Sequence, residues 1–318
     1  MKKDADMLKF AVIGVGAMGR NHARILASSP AVDLVAIVDT NVATRDPIAV
    51  SARTDGFDTV EEAIALGLDA AVIAVPTTEH HEVAIKLIEA GVHVLIEKPI
   101  TATAAQAHDV IARAANKGVT LSVGHVERFN PAIRTLHEAI NGEAIISIAI
   151  SRVGPFPPRI GDVGIVTDLS VHDIDLIRWL SGSEIAEHQS LLTRARGIHE
   201  DVAFLQFRLD SGALAHINTN WLTPFKERRI SVSTANRFIV CDMLLRTVNE
   251  FSGFMPDGLP DRLAQGSFVS RSLSVPYVEP LREEIDAFVK AIRGQGPVMV
   301  TGHDGARALE VALTCLAA

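Results

Sequence analysis

Residues 8–13, Leu-Lys-Phe-Ala-Val-Ile, read as a short strand that runs straight into Gly14-Val-Gly16-Ala-Met-Gly19 and then into a helical segment over 20–27. Strand, glycine loop and helix in that order leave few folds open. One glycine permits the tight turn, one lets the backbone approach a pyrophosphate, and one lets helix and strand close on each other. The helix N-terminus then receives the negative charge. A glycine-rich turn alone is a weak signal, but a second strand over 32–38 follows and terminates in Asp39, twenty residues after Gly19. That spacing suits an acid bonding the adenosine ribose hydroxyls, and its charge repels a 2′-phosphate, so NAD is preferred over NADP. Gly14, Gly16, Ala17, Met18, Gly19 and Asp39 are the first expected cofactor contacts.

The alternation continues along the first half. Residues 41–53 are ambiguous, but Thr59-Val-Glu-Glu62 has capping-box spacing and starts a short helix. A buried strand over 70–75 ends in Pro76-Thr-Thr78, where Thr78 is placed to cap a helix over 79–90, with Gly91 at its C-terminus. Next comes the apolar run 92–96, ending abruptly in Glu97-Lys98-Pro99, then a helix from Thr103 with Gln106 at the capping-box position, Gly118, and a strand over 119–123. This rhythm predicts a doubly wound parallel sheet. The carboxyl ends of such strands share one edge, so Val75, Pro76, Thr77, His80, Glu97 and Lys98 are expected to line one groove with Asp39. On its own stretch Lys98 reads more readily as a solvated loop lysine, and His80 as readily as an exposed first-turn residue.

Length predicts two domains, a dinucleotide-binding Rossmann domain over 1–125 and an α+β domain over 126–318. A net charge of −8 argues against nucleic acid or an anionic membrane surface as partner. Cys241 and Cys315 are far apart without ligand spacing, so neither a disulfide nor a metal site is expected. No apolar run is long enough to span a membrane, and residues 1–7 lead into a strand rather than a signal peptide's apolar core, which points to a cytoplasmic protein.

In the second half, Asn130-Pro131 should open a helix reaching residue 140. Strand-like runs follow at 144–152, 185–195, 201–209, 213–221, 229–234 and 237–241, with turn signals at 210–212 and 234–236. Consecutive strands without helices predict antiparallel pairing in an open sheet. One face takes helices, and the other is free to pair with a second subunit, so a homo-oligomer, dimer or tetramer, is expected. A Pro- and Gly-rich loop over 155–164 precedes Asp168-Leu-Ser-Val-His172-Asp-Ile-Asp175. On a regular helix Asp168 and His172 share a face, where a carboxylate can orient an imidazole, and Asp175 falls close by. An ordinary amphipathic helix with Leu169, Leu176 and Leu180 inward explains the same residues equally well. Residues 247–277 show no clear periodicity, whereas 281–293 and 303–316 read as helices, the last returning toward the first domain.

Taken together, GVGAMG, VPTTEH (75–80), EKP (97–99) and DLSVHDID (168–175) resemble, in order and spacing, the glucose-fructose oxidoreductase, inositol dehydrogenase and rhizopine-catabolism (Gfo/Idh/MocA) family of NAD(P)-dependent oxidoreductases. The resemblance covers nearly the whole chain and implies hydride transfer from a secondary alcohol of a sugar or polyol. It places Lys98 and His172 beside the nicotinamide. Within the family, residues 124–131 and 151–175 look most like archaeal-type UDP-N-acetylglucosamine 3-dehydrogenases, although Gly161 stands where that group often has arginine. Arg128, Arg152 and Arg159 are cations able to pair with a diphosphate, and Arg128, Asn130 and Arg152 are the expected substrate contacts beside Lys98 and His172. Imidazole titrates near working pH, so His172 is the expected base; Lys98 binds the reacting oxygen and Asp168 orients His172. Rivals are an inositol or simple-sugar dehydrogenase, glycosidic cleavage with recycled NAD, and a non-enzymatic NAD sensor.

Overall fold

The computed structural model describes residues 7–157, 163–253 and 268–317. They form two compact units, one of the described residues up to 126 with 279–310 and one of those from 127 to 278 with 311–317.

The first unit alternates β1 (Leu8–Ile13), α1 (Gly19–Ala27), β2 (Val32–Val38), α2 (Val42–Ala52), β3 (Asp55–Phe57), α3 (Val60–Ile64), β4 (Ala70–Ile73), α4 (His80–Glu89), β5 (His93–Glu97), α5 (Ala104–Lys117) and β6 (Leu121–Gly124). The six strands lie in the order β3-β2-β1-β4-β5-β6, all parallel. Helices on both faces explain the unbroken apolar runs: Val94, Leu95 and Ile96 of β5 are wholly buried. Thr59 and Thr103 each form the expected capping box, with Glu62 and Gln106. Thr78 does not cap α4. Pro76 leads into a 3₁₀ turn over Thr77–Glu79, so the helix starts at His80.

The second unit holds α6 (Pro131–Ile140), capped by Asn130 through Ala132 N–H, β7 (Ile145–Pro155), α7 (Val171–Ser181), β8 (Ile185–Thr193), β9 (Val202–Leu209), β10 (Leu214–Asn220), β11 (Leu222–Thr234), β12 (Arg237–Asp242), β13 (Thr247–Ser252) and β14 (Val269–Leu273). The sheet order is β14-β13-β12-β11-β7-β10-β9-β8. It is mixed rather than purely antiparallel, because β7 and β10 pair in parallel. The β8-β9-β10 meander enters beside β7 after the α7 crossover, which reverses no strand direction at that one seam. Strict alternation along β9, with Ala203, Leu205, Phe207 and Leu209 buried, marks the covered face. Helix α6 contacts β12 and β13, and α7 contacts β7.

Helix α8 (Pro280–Ile292) and most of α9 (Gly302–Leu316) belong to the first unit. Leu281, Ile285, Phe288 and Val289 join Phe10, Val12, Leu26 and Leu95 in one apolar cluster, with the Phe10 and Phe288 rings edge to face at 6.1 Å. Among the described residues no helix is long and apolar enough to cross a membrane.

Candidate active site

The glycine loop follows β1, and each glycine meets a different constraint. Gly14 has φ +84°, and a Cβ there would lie 2.7 Å from Val75 N. A Cβ at Gly19 would lie 1.9 Å from Gly14 O, so loop and helix could not close with any larger residue. Gly16 has nothing within 4 Å of that position, which leaves its backbone open to a ligand. Helix α1 carries no acidic residue in its first turn, so its N-terminal field is uncompensated. Asp39, at the end of β2, fastens the loop: its carboxylate accepts Val15 N–H at 2.9 Å and Asn41 N–H at 2.8 Å. A cavity of about 440 Å³ opens here, walled by Gly14, Gly16, Val38, Asp39, Val75 and Pro76. Its size, open backbone and acidic rim fit the adenosine end of a dinucleotide. Met18 is exposed at the N-cap of α1, and Asn21 Nδ2 donates to Ala17 O at 3.0 Å.

Two other expected contacts lie behind this wall. His80 is 1% exposed, its Nδ1 2.9 Å from Pro99 O and its Nε2 3.0 Å from Val75 O, so the ring ties the ends of β4 and β5 together. Burial lowers its pKa, against the pull of the two carbonyls and Glu97. Glu97 also turns inward. Its Oε1 accepts His22 Nε2–H at 2.7 Å, and its Oε2 accepts the Lys98 backbone N–H at 3.2 Å. Burial alone would raise this carboxyl, but His22 and Lys98 hold it below the usual carboxylate range. Lys98 is half-buried one residue beyond β5.

In the second unit, Asp168 lies in a π-helical turn, Val166–Ser170, and His172 in the first turn of α7. The regular four-residue alignment expected of the pair is therefore interrupted by a wider turn, a distortion frequent at functional sites. His172 is 9% exposed. Asp175 sits on α7 at 1% exposure and receives Arg128 at 2.7 Å through Nε and 2.5 Å through Nη2. The same guanidinium stacks on Trp179, at 5.7 Å. Arg152, 2% exposed, grips Asp173 through Nε at 2.8 and 2.9 Å and Glu127 through Nη1 at 2.9 Å. Both arginines, expected to face a diphosphate, are thus engaged by the chain's own buried carboxylates. Asn130 spends its Oδ1 on the α6 cap. Arg159 and Gly161 lie outside the described residues.

Sequence reasoning missed Asp173, Glu127 and His22. A charged residue beside His172 in a helix otherwise rich in Ile, Leu and Val was the available signal for Asp173, as was an i, i+3 polar interruption of an apolar face for His22.

The oxidoreductase family model with an NAD-binding Rossmann fold matches residues 8–125, and the GFO/IDH/MocA C-terminal domain matches residues 154–240. The chain belongs to the Gfo/Idh/MocA oxidoreductase family. As a member of it, the protein is an NAD-binding oxidoreductase. It is 31% identical to the UDP-N-acetylglucosamine 3-dehydrogenase of Acidithiobacillus ferrooxidans over 96% of this chain and 95% of that one. A solved structure of the Acidithiobacillus ferrooxidans UDP-N-acetylglucosamine 3-dehydrogenase superposes with a TM-score of 0.89, covering 97% and 96% of the two chains at 30% identity. The myo-inositol 2-dehydrogenase of Thermotoga maritima is 27% identical, covering 95% and 93%.

Proposed function

We propose that this protein oxidises a secondary alcohol of a nucleotide sugar, with UDP-N-acetylglucosamine, at its 3-hydroxyl, the foremost substrate. The likeness to the Acidithiobacillus enzyme over both units, end to end, is the observation that carries this reading. A free polyol is the second reading. The inositol dehydrogenases favour it, as does the engagement of Arg128 and Arg152 by carboxylates, which leaves neither guanidinium offered to a diphosphate. Following NADH absorbance across UDP-N-acetylglucosamine, myo-inositol and simple sugars decides. We expect kcat/KM to favour the nucleotide sugar by at least about 100-fold. The reverse order establishes a polyol dehydrogenase, and NAD binding without turnover on any of them a sensor.

The bound nicotinamide supplies the hydride acceptor. The chain's own residues do the rest. Lys98 binds the reacting oxygen and stabilises negative charge as it develops. His172 Nε2 or Nδ1 accepts the hydroxyl proton, and Asp168 stabilises the resulting imidazolium. Arg128 with Asp175, and Arg152 with Asp173, hold α7 so that His172 keeps its aim.

The cofactor is NAD rather than NADP. Asp39 places a carboxylate at the end of β2, and Arg45, the nearest downstream cation, is already paired with Asp46 and Asp58. Asp39→Ser should raise the NADP to NAD ratio of kcat/KM by about 10-fold or more; an unchanged ratio rejects the assignment.

The protein works as a homo-oligomer in the cytoplasm, with a second copy covering the bare face of the eight-stranded sheet. Leu191 and Phe204 pair there across β8 and β9 and stand 73% and 49% exposed, while Leu214, opposite Arg208 on the neighbouring strand, is 50% exposed. An exposed cross-strand pair of large apolar side chains supports a covered surface. Sedimentation as a monomer at micromolar concentration would overturn this.

A further inference from the structure

One buried acid has no part in the chemistry above. Glu284, on the inward face of α8 between Leu281, Ile285 and Phe288, is 1% exposed, and neither carboxyl oxygen has a hydrogen-bond partner among the described residues. Leu95 of β5 lies in the same apolar cluster as Leu281 and Ile285, and Glu97, at the end of that strand, is the charge that acts on the Glu284 carboxyl. Glu97 in turn is held by His22 from α1, itself wholly buried, and by the Lys98 N–H. Space for the Glu97 carboxyl exists because β6 carries Gly124 opposite: a Cβ there would lie 3.2 Å from both Cδ and Oε2. The remaining groups of the surrounding core, Phe10, Val12, Ala23, Leu26 and Leu95, are apolar.

We propose that His22, Glu97 and Glu284 are positioning residues for Lys98: Glu284 carries a proton, which leaves the single negative charge on Glu97 to fasten the Lys98 backbone to the cofactor-loop helix. The reading rests on the role given to Lys98 above, and it adds a specific device. Burial and the neighbouring Glu97 both push the Glu284 carboxyl well above its ordinary value. If Glu284 loses its proton, two carboxylates share one dry compartment, and the cheapest relief is rotation of Glu97 away from Lys98. The sign follows directly. A folded-state pKa above the unfolded one means that the hold is fully present below the unfolded value and is lost as pH rises through the folded value.

The test follows the Lys98 amide resonance and NADH-linked turnover between about pH 7 and 10 in wild type, Glu284→Gln and Glu97→Gln. Glutamine keeps the shape of the neutral acid and cannot ionise. In wild type we expect one alkaline step in the Lys98 amide shift, with a decline in kcat of about fivefold or more over the same step. In Glu284→Gln both should vanish. Glu97→Gln should displace the amide signal at every pH and lower kcat more than it raises KM. An alkaline step that persists in Glu284→Gln, or a Lys98 amide indifferent to Glu97→Gln, overturns the proposal. A purely structural Glu284 would move Tm alone. Because the amide resonance needs no substrate, it decides this question even if every sugar fails to turn over.

Discussion

Lys98→Met is expected to lower kcat by about a hundredfold to ten-thousandfold while changing NAD affinity by less than about threefold. The asymmetry follows from where the binding energy resides. In the proposed mechanism Gly14, Gly16, Gly19 and Asp39 build the dinucleotide cradle and remain intact, whereas the Lys98 ammonium acts on charge that develops only as the hydroxyl proton leaves. His172→Ala should cost a similar factor and also remove the acidic limb of the kcat/KM profile, since that limb reports protonation of the free base. Residues that work on one proton are not additive, so the double variant should fall little below the worse single one. Isothermal binding of NADH beside single-turnover kinetics separates these outcomes. Turnover of Lys98→Met/His172→Ala within tenfold of wild type would remove both residues from the mechanism.

The parts of this molecule legible in the sequence are those set by local chemistry. Gly14, Gly16 and Gly19 announce the loop because backbone geometry admits nothing else at two of them. Thr59 and Thr103 announce helix starts because a capping box closes within four residues. The parallel β7–β10 seam was hidden, since no local pattern records which distant strand becomes a neighbour. Burial of charge was hidden for the same reason. His22, Glu127, Asp173 and Glu284 interrupt apolar faces, and in sequence such interruptions look like solvated positions. Only the fold shows that Glu127 and Asp173 share a cation, that His22 meets a carboxylate, and that Glu284 lies buried without a hydrogen-bond partner among the described residues. Arg128 and Arg152 are the instructive pair, because as sequence they read as free cations for a diphosphate, while in the structure each matches the anion count of α7.

That matching makes Arg152→Ala the substitution with the largest expected effect on stability, about 3 to 5 kcal/mol at neutral pH. Arg152 is 2% exposed and Asp173 is wholly buried, so removal of the guanidinium takes from Asp173 and Glu127 the cation hydrogen-bonded to both and leaves them only the more distant charge of Arg228. Most of the cost is the desolvation of orphaned charge rather than the lost attraction, and a further substitution can expose that. Adding Asp173→Asn and Glu127→Gln to Arg152→Met should recover more than half of the loss, because neither carboxylate then remains charged and Arg228 keeps Asp168 as its counter-charge. The pH dependence has a definite sign. In the wild type, burial raises Asp173, whereas Arg152 holds Glu127 below its ordinary range despite burial. Without Arg152 both carboxyls are raised in the folded state, so the variant binds protons on folding, and its deficit relative to wild type must shrink as pH falls from about 7.5 to 5. Trp179 and Trp221, the two tryptophans of the chain, both lie in the second unit. Urea unfolding followed by tryptophan fluorescence therefore reports on the unit that contains the network without averaging over the other. A deficit that is flat in pH, or one that grows on acidification, would mean that Asp173 and Glu127 find other partners when Arg152 is gone, and that α7 is held by packing rather than by charge.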